Sequence, residues 1–68
     1  MTPNGTAIRC FRKARGLSLR HMAAVTERSR GFLSLVERGQ AGASRDTLCR
    51  IADALEIPVA AINREEMS

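Results

Sequence analysis

Residues 17–39, LSLRHMAAVTERSRGFLSLVERG, contain two short helical patterns separated by a turn. Ser18 is placed to cap the first, which runs through about Val25, and Ser29 to cap the second, which runs to Arg38 and stops at Gly39. A hydroxyl at the N-cap accepts from an otherwise unpaired backbone N–H, and a glycine just past the end takes the left-handed conformation that closes a helix. Leu19, Met22 and Ala23 fall on one face of the first helix, and Phe32, Leu33 and Val36 on one face of the second, by their three- and four-residue spacing. The other face of the second helix opens with Arg28, Ser29, Arg30 and Gly31 and continues one turn later with Ser34 and Leu35. A short helix with one buried stripe and a basic, hydrogen-bonding N-terminal end suits a DNA major groove.

The flanking sequence supplies a core for this pair. Residues 1–5 read as a polar lead in which Pro3 and Gly5 discourage a helix, and a first helix is predicted over residues 6–15, ended by Gly16. Ile8 and Phe11 anchor it, with Ala14 close by, while Arg9, Lys13 and Arg15 face water. Arg12 falls near the buried stripe. Residues 39–43 form a flexible loop. A fourth helix starts at Ser44, with Asp46 well placed in its first turn, and runs to Leu55 with Leu48, Ile51, Ala52 and Leu55 as its core stripe. Pro58 opens a fifth, to about Asn63, with Val59 and Ile62 as its apolar face; residues 64–68 are acidic and expected to fray.

The chain resembles the phage repressor and Cro-like helix-turn-helix family, also called the xenobiotic-response-element family. The matching words, in order, are Gly16-Leu17-Ser18, Met22-Ala23, Ser29-Arg30, Leu33-Ser34, Val36-Glu37-Arg38-Gly39, Thr47-Leu48, Ile51-Ala52-Asp53-Ala54-Leu55 and Ile57-Pro58-Val59. The resemblance implies a single all-α, five-helix domain over residues 1–68 and a sequence-specific regulator of transcription that binds double-stranded DNA. It further implies that Arg12 pairs with Glu37, a bidentate match of guanidinium to carboxylate; the alternative is an Arg12 that snorkels to the surface. Arg30 is then the candidate base reader, to guanine O6 and N7, with Gly31 permitting close approach. Ser34 and Leu35 face the groove, Leu35 towards a thymine methyl or else packed on a neighbouring helix. Ser18, Arg20, Arg28, Ser29, Arg38 and Gln40 would set register on phosphates. Relatives commonly pair near the C-terminal end, which points to a homodimer through Ile57, Val59 and Ile62 on an inverted repeat; the alternative is that Val59 and Ile62 only close the monomer core.

Three positions depart from the family. Glu27 stands where glycine is usual, Arg28 where a small apolar residue is usual, and Leu19 where a glutamine often braces the DNA backbone. A non-glycine residue in the left-handed region costs on the order of 1 kcal/mol, so either the turn differs or the preceding helix runs on by a residue. Leu19 cannot donate, leaving that contact to Arg20 or His21; His21 otherwise reads as an exposed helical residue.

Eleven Lys and Arg against seven Asp and Glu give a net charge of +4. Residues 1–34 carry seven of those cations and a single acid, Glu27, which favours a polyanion partner for that part of the chain. Cys10 and Cys49 read as reduced thiols, since disulfide scaffolds are far richer in cysteine and no close ligand pair with His21 seeds a metal site. Neither a nucleophile with a base, nor an acid–base carboxylate pair, nor a phosphate loop occurs, so an enzyme, a cofactor and a metal are not expected. No apolar run approaches a membrane span, and the expected setting is the cytoplasm of a bacterium or its phage. A second class of function stays open: a protein-interaction module, such as an antitoxin or a transcription adaptor, on the same fold.

Overall fold

A computed structural model describes residues 2–63. Four α-helices follow one another: α1 (Gly5–Ala14), α2 (Leu19–Thr26), α3 (Arg30–Glu37) and α4 (Arg45–Leu55). A single 3₁₀ turn, Val59–Ala61, comes after them. Each helix begins at a polar side chain. Asn4, Ser18, Ser29 and Ser44 accept from the backbone N–H three residues on, in Ala7, His21, Phe32 and Thr47. No helix among the described residues is long and apolar enough to cross a membrane.

The predicted apolar stripes converge. Ile8, Met22, Leu33, Val36, Leu48, Ile51, Ala52 and Leu55 form one buried cluster, with Phe11, Leu17, Leu19, Ala23 and Phe32 packed around it. The helix pair α2–α3 sits on this cluster, α2 against α4 and α3 against α1. That leaves the far side of α3 clear.

The chain ends depart from expectation. The helix predicted from residue 6 starts one residue earlier, and its cap is Asn4, inside the stretch read as a polar lead. Gly5 is buried because α1 begins against the C-terminal end of α3: a Cβ there would collide with the carbonyls of Val36 and Glu37. The expected fifth helix is only the 3₁₀ turn. Asn4 N–H donates to the Ile62 carbonyl at 2.7 Å and Pro3 bridges to Asn63, so the chain must leave helical geometry at Ile62 to run beside the first residues. Residues 2–5 are thus built into the fold, whereas the fraying expected of residues 64–68 falls outside the described residues.

Ile62 itself has no exposed surface and lies within the core cluster. It closes the monomer and is not available to a second subunit. Ile57 and Val59 are half-buried against the same cluster, so the apolar surface assigned to pairing shrinks to their outer edges.

Candidate nucleic-acid interface

The turn between α2 and α3 sets the interface. Thr26 ends α2 fully buried, its hydroxyl donating to the Met22 carbonyl at 2.7 Å. Glu27 then takes the left-handed conformation at φ 59°, ψ 39°, where glycine is the easy residue. Neither expected alternative holds: α2 ends at Thr26, and Glu27 keeps the turn in the geometry a glycine would give it. Glu27 is fastened from outside: its carboxylate accepts from Arg50 Nη1 at 3.0 Å.

Arg28 is the largest surprise among the predicted contacts. Its guanidinium faces α4, donating to Thr47 Oγ1 at 3.1 Å and to Asp46 Oδ2 at 3.2 Å, with a third bond to the Glu27 carbonyl. Asp46 also accepts from Arg50 Nε at 3.0 Å. Two arginines and two carboxylates therefore alternate in a chain that straps the turn to the first turns of α4. Asp46 first, and Glu27 second, raise the Arg50 guanidinium above its ordinary value. The sequence offers little sign of this, because residues 27–28 and 46–50 meet only after folding.

At the opposite end of α3, Arg12 Nε and Nη2 hold the two Glu37 oxygens at 2.7 and 3.0 Å, and Nη1 donates to the Leu17 carbonyl at 2.9 Å. The side chains are 12% and 6% exposed. The hydrogen bond to Glu37 raises Arg12 above the usual arginine value, and burial only partly opposes it. This geometry anchors the C-terminal end of α3 to α1. With the turn strapped to α4 at one end and Glu37 clamped at the other, α3 is held at both ends.

The face it presents is open. Ser18, Leu19 and Arg20 from the start of α2 and Ser29, Arg30, Gly31 and Ser34 from the start of α3 line one shallow groove. Ser18 and Ser29 are both N-caps, so the groove collects two helix N-termini, where backbone N–H groups and the helix dipole favour anions. Arg20 and Arg30 are exposed and form no ion pair or hydrogen bond within the described structure, unlike Arg12, Arg28 and Arg50. Leu35, 38% exposed, continues the face one turn along. Arg38 caps α3 and reaches back to the Ser34 carbonyl; Gln40 is exposed in the loop beyond Gly39. Leu19 is half-buried against the core and supplies no donor. Arg45, at the start of α4 directly after the Ser44 cap, is also exposed and forms no ion pair or hydrogen bond among the described residues.

Comparison with known proteins agrees with this geometry. The family described as "Helix-turn-helix domain" matches residues 5–64. The clp gene regulator ClgR of Corynebacterium glutamicum is 39% identical with a TM-score of 0.80, over 82% of this chain and 60% of that one. This chain therefore spans under two thirds of the ClgR structure. The restriction-modification controller protein C.AhdI of Aeromonas hydrophila is 33% identical with a TM-score of 0.81, over 84% of this chain and 86% of that one. The biofilm master regulator SinR, of Bacillus subtilis, in complex with DNA, is 30% identical with a TM-score of 0.77, over 82% and 90%. SinR is also similar in a SinR protein/SinI protein complex. Among curated protein sequences there is no significant match.

Proposed function

Because this chain belongs to the helix-turn-helix domain family, we propose that it is a transcription regulator that binds double-stranded DNA sequence-specifically through α3. One observation carries the reading: Arg20 and Arg30, alone among the charged groups of the α2–α3 face, are left without a partner around two capped helix N-termini. Arg30 reads guanine by a bidentate bond, and Ser34 and Leu35 meet the neighbouring base edges. Ser18, Ser29, Arg20, Arg38, Gln40 and Arg45 set the register on phosphates. Arg28 acts from behind, holding the turn. The similarity to SinR in complex with DNA supports this assignment.

One recognition helix covers only a few base pairs, so the protein works as a two-fold dimer on an inverted repeat, with half-sites about 34–36 Å apart. The outer edges of Ile57 and Val59 are what remain for that contact. SinR also occurs in a SinR protein/SinI protein complex, which favours a second reading in which this chain binds a protein partner.

Selection of bound sequences from a random duplex pool tests the proposal. A recovered inverted repeat supports both specificity and pairing; salt-independent binding to a protein with no duplex recovered favours the second reading. On the recovered duplex, Arg30→Ala should weaken binding by about 1–3 kcal/mol and relax one base position. Equal losses on specific and random duplexes would place Arg30 on phosphate.

A further inference from the structure

Gly31 is a glycine that the fold does not ask for. It lies within α3, its φ is not in the left-handed region, and a Cβ there would meet no atom within 4 Å. Gly5, by contrast, is enforced by the two carbonyls a Cβ would strike. Helix propensity argues against glycine at such a site. Its position on α3 matters more. At about 100° of rotation per residue, Leu33 and Val36 mark the buried side, and Gly31 falls opposite them at the middle of the outward arc. Arg30 and Ser34 flank it on one side and Leu35 on the other.

Among the described residues, Leu35 is one of two large hydrophobics that the fold leaves exposed. A helical leucine leans towards the N-terminus, on the side of the turn that precedes it, and here it leaves the place of a Cβ on residue 31 clear by at least 4 Å. Gly31 therefore leaves an open notch on the outward face, between the exposed Leu35 on one side and the unpaired Arg30 on the other. Along the major-groove edges of the base pairs, the apolar group that projects is the C5-methyl of a pyrimidine. Resting on the proposed DNA-binding role of α3, we infer that the Gly31–Leu35 notch receives a pyrimidine C5-methyl beside the guanine held by Arg30. Thymine and 5-methylcytosine both carry that group.

The probe is the duplex recovered by the wild-type protein, with each thymine replaced singly by uracil, which removes only the methyl. One thymine per half-site should respond with about a fourfold loss of affinity, the worth of one buried methyl group. At that position, a 5-methylcytosine·guanine pair should bind tighter than cytosine·guanine by a similar factor. If it matches or exceeds thymine·adenine, methylated DNA is the target; if it falls short, thymine is. Gly31→Ala should melt at the same temperature or higher, yet fill the notch with its own methyl. It should bind the thymine duplex more weakly and no longer distinguish thymine from uracil. A recovered duplex in which no thymine responds to uracil, or a Gly31→Ala protein that discriminates as the wild type does, overturns this inference alone. Recovery of no duplex overturns the DNA-binding role and the notch together.

Discussion

Two sets of arginine–carboxylate pairs hold α3, and they differ in everything except residue type. At one end, Arg12 spends its guanidinium on both oxygens of Glu37 and the Leu17 carbonyl, with the two side chains 12% and 6% exposed. At the other, Arg28, Asp46, Arg50 and Glu27 form an open chain whose carboxylates are 67% and 74% exposed. Charges removed from water must be matched geometrically or they cost more than they give, whereas pairs left in water exchange protein partners for solvent with small net effect. The first is a clamp on which the packing of α1 against α3 depends. The second ties the turn before α3 to the first turns of α4.

Removing one partner of the clamp should produce the largest effect. Glu37→Gln or Arg12→Met should each cost about 3 kcal/mol, the low end for a buried pair because the guanidinium still touches water. A domain of this size has only roughly 3–10 kcal/mol of stability in total, so either variant should be substantially unfolded at moderate urea. The double variant should cost much less than the two losses added together. Urea melts of all four proteins measure the coupling; additive, near-zero effects would put the clamp on a par with the surface chain.

The strapped turn predicts an intermediate effect of opposite sign. Glu27 and Glu56 occupy matching sites at the ends of α2 and α4, both left-handed, at φ 59° and 60°. Glycine at either should stabilise by about 0.5–1 kcal/mol, as relief of the strained backbone outweighs the added freedom of the unfolded chain. Glu27 also holds Arg50, while Glu56 forms no ion pair among the described residues. Glu56→Gly should therefore gain more than Glu27→Gly, and the difference between their thermal shifts reads out what the exposed pair contributes. Equal gains would leave the Arg50–Glu27 bond with nothing measurable.

These pairs also mark how far the chain could be read before folding. The caps at Ser18, Ser29 and Ser44 and the stripes of α2, α3 and α4 were legible because each is set by residues three or four apart. The proximity of Arg12 and Glu37, 25 residues apart, came from resemblance to a family and not from spacing. What could not be read depends on surfaces that meet late. Asn4 looked like lead sequence because its role needs Gly5 to fit under the end of α3. Ile62 looked like half of an amphipathic helix because its carbonyl's bond to Asn4 is invisible in a local pattern. Arg28 had the right type and place for a phosphate contact, but Asp46 and Thr47 stand nearer to it than any outward partner would.

The smallest effect separates the two regions by salt. Asp46 is the shared acceptor of the surface chain and also lies in the first turn of α4, where a negative charge favours the helix dipole. Asp46→Asn keeps the shape, removes that charge, and should cost a few tenths of a kcal/mol at low salt. Both contributions act through water, where the screening length falls from about 10 Å at 0.1 M to about 3 Å at 1 M ionic strength. The difference between wild type and Asp46→Asn should then shrink towards zero at molar potassium chloride. The difference between wild type and Glu37→Gln should change little, because the clamp excludes the ions that would screen it. Urea midpoints at the two salt concentrations decide the matter: a salt-sensitive Glu37→Gln loss would show the clamp open to solvent, and a salt-insensitive Asp46→Asn loss would show the turn held by hydrogen-bond geometry and not by charge.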